Sequence, residues 1–266
     1  MPIIRASNKL IYFAHVPKCG GSAVEDYLRE RFGALAFEDR QFLSVPEQRR
    51  WTRTSPQHID IAARDRLFPA GFFDHSFAVV RHPVDRIVSA YHFQLEVERT
   101  IPVNVSFGDW LFKVSEELED RPSIYDNHLR PMADIVPVDA VVFRLENGLD
   151  ALVPWFDDVT GEKTGPRAVG VTNKRGERVE VKSEKVVPTK AELAFIEKMY
   201  ERDFERFGYE NTPFAEEPVR PDGFVVDRNA GSPRGNSLAR KLAHLSHWVR
   251  FVGLRKDRWG SAYQPD

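Results

Sequence analysis

The stretch that most constrains this chain is residues 9–32. Residues 9–16 form a nearly unbroken apolar run of Ile, Tyr, Phe and Val, the pattern of a strand buried on both faces. The run stops in Pro17-Lys18-Cys19-Gly20-Gly21-Ser22 and resumes with helical periodicity from Ser22 to Phe32. Ser22 followed by Glu25 has the spacing of a capping box, which sets the expected helix start. A buried strand that enters a helix through a tight glycine loop places backbone N–H groups where an anion can sit. Gly20 and Gly21 let the backbone pass close to a ligand, Lys18 reaches over the loop, and Ser22 offers a hydroxyl. The same residues also fit a plain strand-to-helix turn with an exposed lysine. The loop is not a GxxxxGK[ST] phosphate loop, because its lysine precedes the glycines.

A second strand is expected over 76–81 (SFAVVR), stopped by His82-Pro83, with a helix over 84–99 for which Pro83 suits the first turn. Arg81 then stands at the carboxyl end of a strand, where open α/β sheets bind ligands. Ser89, two turns along the helix, is close enough to share an anion with it. An arginine ending a strand is equally well read as half of a surface ion pair. Residues 44–68 read as short helices with polar faces. Ser106 opens a helix to about 118, a third strand covers 138–145, and a helix follows from about 147. Thr189 with Glu192 caps a helix that runs to Phe207 and stops at Gly208. Alternating strands and helices predict an α/β fold, a P-loop-like parallel sheet flanked by helices on both faces.

Residues 161–185 are polar and unpatterned and read as a long excursion, a hairpin being one form it takes. The domain runs to residue 212. A Pro/Gly-rich linker over 213–236 leads to a basic amphipathic helix and tail over 237–266. The stripe Leu238, Leu242, Leu245, Val249, Val252 suits packing on its own domain, self-association or peripheral attachment to a membrane surface. A formal net charge of −2 excludes a generally basic nucleic-acid binder, so a polyanionic ligand needs a local cluster of cations. With one cysteine, Cys19, no disulfide forms within the chain, which favours a reducing compartment. The N-terminal residues carry no signal-peptide pattern and no run approaches the roughly 18 apolar residues of a membrane span. The expectation is a cytoplasmic protein without a transmembrane segment.

HVPKCGGSA (residues 15–23) resembles the 5′-phosphosulfate loop, HxPKTGGT(S), of the Golgi-type carbohydrate sulfotransferases that act on heparan and chondroitin. Cys19 replaces the usual threonine and Ser22 keeps a hydroxyl. RHPVDRIVSAY (residues 81–91) is similar to the same family's 3′-phosphate motif, RxPxxRxxSxY, and matches at Arg81, Pro83, Arg86, Ser89 and Tyr91. The resemblance implies the sulfotransferase fold and a donor, 3′-phosphoadenosine-5′-phosphosulfate (PAPS), that leaves as 3′,5′-ADP without a metal. It implies a donor site of Lys18, Cys19, Gly20, Gly21, Ser22, Arg81 and Ser89, with Lys18 also catalytic at the bridging oxygen. Arg86 and Tyr91 pair with a carboxylate and pack, respectively.

Of eight histidines, His58 lies between the two motifs in a segment that resembles the family's GHxxF element, whose histidine is the base. Glu25 and Asp60 are the substitutes, and a surface or capping histidine is the alternative. His15 orients the loop, and His75 and His82 fit solvated positions. IYDNHLRP resembles an NxHxRP segment of the family, so Asn127, His128 and Arg130 either line the cleft as substrate contacts or form a polar helix face. Glu146 is expected to orient a basic group, Asn173, Lys174 and Arg175 to clamp the nucleotide or form an exposed charged hairpin, and Asp203, Phe204 and Tyr209 to pack the closing helix. The implied acceptor is a hydroxyl, that of a carbohydrate first. A P-loop-like kinase of a small metabolite and a non-catalytic binding protein on the same fold are the alternatives.

Overall fold

In a computed structural model that describes residues 2–170, 183–210 and 214, one four-stranded sheet carries the architecture. Its strands are β1 (Ile3–Ala6), β2 (Lys9–Ala14), β3 (His75–Val80) and β4 (Val141–Arg144), in the order β1-β2-β3-β4. The pairs β2–β3 and β3–β4 are parallel, in registers that set Ala14 beside Ala78 and Val80 beside Arg144. Helices α1 (Gly21–Phe32) and α3 (Pro83–Glu96) leave the adjacent carboxyl ends of β2 and β3. The loop after β2 and the turn after β3 therefore lie side by side, at the end of the sheet where such folds bind ligands.

The parallel strands earn their place by burial on both faces. Ile11 to Ala14 and Phe77 to Val80 are each buried without a break. Phe77 is the hub: its ring stacks 4.8 Å from Phe13 and meets Trp155 and Phe156 at 5.1 and 5.3 Å. Strand β1, which the sequence pattern did not single out, is an antiparallel edge joined to β2 through Ser7 and Asn8, both at positive φ (44° and 64°). Two left-handed residues give the turn whose twist matches a hairpin.

Local signals place most of the remaining elements. Helix α2 (Ile61–Leu67) follows three 3₁₀ turns, at Phe42–Ser44, Glu47–Arg49 and Pro56–His58, as short polar helices were expected there. Helix α4 (Phe107–Asp120) starts at Ser106, whose hydroxyl accepts from the Asp109 N–H at 3.1 Å. Helix α6 (Lys190–Met199) has the full Thr189–Glu192 capping box.

Three expectations need correction. The cap of α1 is Gly20, left-handed at φ 79°, and Ser22 makes no cap bond because Glu25 is turned away to His15 and Arg29. The helix expected from residue 147 is a 3₁₀ turn (Leu145–Asn147), broken by Gly148 at φ 80°, then a separate α5 (Leu152–Thr160). The helix expected to reach Phe207 divides at Tyr200, whose hydroxyl donates to the Leu129 carbonyl, and continues as α7 (Glu201–Phe207) to a left-handed Gly208. Residues 171–182, with Asn173, Lys174 and Arg175, lie outside the described residues. So do the tail helix over 237–266 and all of the 213–236 linker except Phe214.

Replacing Phe77 by alanine removes the ring on which both sheet neighbours and α5 pack. The expected cost is about 3–5 kcal/mol in urea denaturation, whereas Val103→Ala, at a position 90% exposed, stays within about 0.5 kcal/mol.

Candidate functional site

The loop after β2 turns twice through left-handed backbone, at Lys18 (φ 68°) and Gly20 (φ 79°). A lysine in that region is strained by about 1–2 kcal/mol. The Lys18 ammonium stands 3.8 Å from the centre of the Phe93 ring, which projects from α3. The first intrahelical bond of α1 runs from the Val24 N–H to the Gly20 carbonyl, so the N–H groups of Gly21, Ser22 and Ala23 precede it. Ser22 is exposed in that first turn.

The two glycines have different reasons to be there. Gly20 needs its positive φ. A Cβ on Gly21 would stand 1.8 Å from the His15 Nε2, so that glycine makes room for the imidazole. The Cys19 side chain is buried, and burial pushes its thiol up to about 12, so it is neutral and faces the core. What Cys19 offers at the loop surface is main chain.

Arg81 follows β3 immediately and lies half-buried beside this loop. Its guanidinium donates to the Lys18 carbonyl at 3.5 Å and approaches Asp85 at 4.0 Å. Burial raises the Asp85 carboxyl pKa against the opposing pull of Arg81. Ser89 is half-buried two turns further along α3. The other matched positions are structural. Arg86 has no carboxylate partner in ion-pair range among the described residues: fully buried, it donates to the carbonyls of Pro17 (3.1 Å) and His128 (3.0 Å). The Tyr91 hydroxyl donates to the Val105 carbonyl. Among the described residues, Glu146 makes no hydrogen bond or ion pair with a basic side chain. It accepts from the His82 N–H and from the Tyr209 hydroxyl, fixing the turn after β3. His82 is buried against Phe204 and Tyr209, not solvated as expected, and its ring accepts from the Val84 N–H.

His58 closes the 3₁₀ turn Pro56–His58 and is drawn to the loop by its neighbours. Its ring meets His15 edge-on at 4.7 Å and His128 at 5.4 Å. His128 in turn lies 5.2 Å from Phe93, the ring beneath the Lys18 ammonium. The His58 Nδ1 is 2.7 Å from the Asp126 carboxylate. That carboxylate also accepts from the Ser55 N–H at 2.6 Å and hydroxyl at 2.7 Å. Asn127 donates to the His58 carbonyl at 2.7 Å, and Arg130 donates to the Asn127 side chain at 3.0 Å while pairing with Asp60 at 3.2 Å. Asn127 and Arg130 thus belong to no polar helix face. They grip the segment that bears His58. Sequence reasoning missed Asp126 and Ser55; the available signal was an Asp-Asn pair, the residue types that best tolerate left-handed backbone.

Electrostatics divides the three histidines. Burial drives the His15 pKa down to about 4, against the opposing bond to Glu25, so the ring is neutral at pH 7. Burial would raise Glu25, but the bond from His15 and the nearby Arg29 outweigh it and hold the carboxyl at about 2. His128 is pushed well below the ordinary histidine value by desolvation, then by the charges of His58 and Lys18. The two carboxylates considered as substitute bases are both engaged, Glu25 with His15 and Arg29, Asp60 with the Ala63 N–H and Arg130. Among the described residues no group of three or more His, Cys, Asp or Glu is arranged to hold a metal ion, and no helix is long and apolar enough to cross a membrane.

The cationic loop at the start of α1, Arg81 from the next strand beside it, and the row of rings His15, His58 and His128 lie at the carboxyl edge of the sheet. No curated protein and no solved structure matches the chain. Residues 1–210, which hold every element of this site, match the Sulfotransferase family, and the chain belongs to that family of sulfuryl-transferring enzymes.

Proposed function

We propose that the chain transfers a sulfuryl group from PAPS to a hydroxyl, that of a carbohydrate first, and that it does so in a cytoplasmic setting. One observation supports this reading: the Arg81 guanidinium reaches the Lys18 carbonyl, so the two elements read here as phosphate-binding, from separate strands, stand side by side. A bisphosphorylated nucleotide has two charged ends that need two such elements. A chain with a net charge of −2 has no global field to hold it instead. The unpaired N–H groups at the start of α1, the left-handed Gly20 and the two cations suit the 5′-phosphosulfate and the 3′-phosphate of that donor. The single, buried cysteine accords with a reducing compartment.

The donor supplies the sulfuryl group and departs as 3′,5′-ADP. Lys18 offsets negative charge at the oxygen from which the sulfuryl group parts, through a side chain already held over the loop by Phe93. Arg81 and Ser89 hold the phosphate that does not react. His58 takes the acceptor's proton as the acceptor oxygen bonds to sulfur and the bond from sulfur to the 5′-phosphate oxygen breaks. Positioning and charge neutralisation carry the rest of the barrier. The lysine before the glycines sets the site apart from a kinase phosphate loop.

The chain should bind 3′,5′-ADP more tightly than 5′-AMP or ATP. Calorimetry that finds equal affinity for 5′-AMP would refute the two-element reading.

Lys18 and Arg81 should separate kinetically. Arg81→Ala loses a charge-assisted contact to a spectator phosphate and weakens 3′,5′-ADP binding by roughly tenfold to a hundredfold. Lys18→Ala acts where charge develops and lowers kcat by about a hundredfold, with a smaller change in donor affinity. Equal losses of affinity with unchanged turnover at saturation would contradict this division.

His58→Ala should leave 3′,5′-ADP affinity nearly unchanged and cut PAPS-dependent transfer to a panel of sugar acceptors by about a hundredfold or more. The readout is the gain of one sulfate by mass spectrometry. Near-normal transfer by this variant would remove His58 as the base and leave the donor site standing.

A further inference from the structure

We propose that Asp126 is a positioning residue for His58: set in a left-handed turn, its carboxylate accepts the Nδ1 proton of the imidazole and leaves Nε2 to face the acceptor hydroxyl. The inference rests on His58 as the base and adds the group that makes one of its two nitrogens basic.

The geometry of the carboxylate is fully determined. One oxygen accepts from the Ser55 N–H; the other accepts from the Ser55 hydroxyl and stands 2.7 Å from the His58 Nδ1. Held at both oxygens, the carboxylate cannot rotate away from the ring. Burial would raise its pKa, yet the bonds from His58 and Ser55 keep it well below the ordinary carboxylate range. An ionised carboxylate only accepts, so the short contact requires the proton on Nδ1. In the neutral ring Nε2 is then the nitrogen with a lone pair. As that nitrogen takes a proton, the adjacent negative charge stabilises the imidazolium, the role a buried aspartate plays beside a catalytic histidine on unrelated folds.

The backbone is built for this grip. Tyr125, Asp126 and Asn127 have φ of 51°, 56° and 63°, three consecutive left-handed residues. Extended backbone would send the side chains of Asp126 and Asn127 to opposite faces. A helical turn brings them round to one side, where Asp126 takes the ring and Asn127 takes the carbonyl of the same histidine. Left-handed backbone in three successive residues that carry side chains persists where the surroundings over-determine it. Asn127 supplies that constraint here, since its carboxamide is fixed in turn by Arg130. The other titratable groups around the His58 ring cannot replace Asp126. His15 and His128 are both held in the neutral form, Glu25 is bound to His15 and Arg29, and Lys18 bears the wrong sign.

The test uses the full chain with ¹⁵N-labelled histidine. The wild-type His58 ring should appear as the Nδ1–H tautomer near pH 7.5, and Asp126→Asn should release it from that single form. Asp126→Asn should lower kcat by about a hundredfold or more while 3′,5′-ADP affinity stays within about twofold, and Asp126→Glu should recover part of the loss. In a His58→Ala background Asp126→Asn should cost less than about twofold further, because the two side chains act as a unit. An Nε2–H ring in the wild type, a wild-type kcat in Asp126→Asn, or an undiminished loss in the His58→Ala background would each overturn the proposal. If Asp126→Asn fails to fold, the wild-type spectrum still decides the tautomer. Failure of the base assignment reads differently: His58→Ala would then keep its turnover, whatever tautomer the ring displays.

Discussion

One buried guanidinium holds the candidate site together. Arg86 projects from α3 into the core and donates to the carbonyl of Pro17, in the loop after β2, and to that of His128, in the segment that grips His58. Three stretches far apart in sequence are thereby tied to one side chain. Arginine suits the task because its planar fork serves two divergent acceptors at once; a lysine offers a single point of charge. A buried cation needs compensation, and here it comes from the two carbonyls, the Tyr200 ring face 6.0 Å away and the field of Asp203. Asp203 is itself fixed by the N–H groups of Met132 and Ala133, just beyond His128. The closing helix α7 thus contributes to the site without approaching it, through the carboxylate that faces Arg86.

Around that anchor the same side-chain type is put to different uses by its surroundings. His15 and His58 each direct Nδ1 at a carboxylate, and their rings touch edge-on. His15 is buried on the Phe13 ring, its Nε2 filling the space left by the missing Cβ of Gly21. Reprotonating it at neutral pH would place a charge in the core, so it serves as a strut that presses the start of α1 into position. Desolvation first, and then neighbouring cationic groups that include Lys18 and Arg86, push the His128 pKa down, and its Nδ1 lies 3.4 Å from the Gln94 carboxamide. Of these three histidines, His58 is the one with a carboxylate beside a ring that is not sunk in the core. The distinction follows from environment, as does the assignment of acid and base roles among chemically identical groups elsewhere.

What was legible in the sequence was local. A buried strand, a loop with glycines, Pro83 opening a helix, Ser106 as a cap and the Thr189–Glu192 box are written within a few residues each, and the structure contains them all. Ser22 and Glu25 carried the same capping signature and it failed, for a non-local reason. Glu25 meets His15 across the loop, and the loop needs a left-handed residue at the cap that only Gly20 supplies without strain. Strand β1 escaped notice because four residues on a sheet edge carry little periodicity. The division of the last helix at Tyr200 depends on a hydroxyl bond to Leu129, some seventy residues away. Likewise the role of Asp126 is set by Ser55 and His58, and nothing within its own segment points to either.

Left-handed backbone recurs along the chain, and part of it lies at the site. Gly20, Gly148 and Gly208 take left-handed backbone where a helix or 3₁₀ turn begins or ends, at no steric cost. Lys18, Tyr125, Asp126 and Asn127 take it with side chains attached, as do Ser7, Asn8, Phe37 and Arg99 elsewhere among the described residues. Glycine at the first four positions would relax the backbone and abolish the contacts: the ammonium over Phe93, the bonds that hold Asp126, the bond from Asn127 to His58. Tyr125 makes the turn that carries the two residues after it. At the lysine of the loop and at the turn beneath the histidine, left-handed backbone goes with side chains that make specific contacts, and those contacts supply the constraint that such backbone needs.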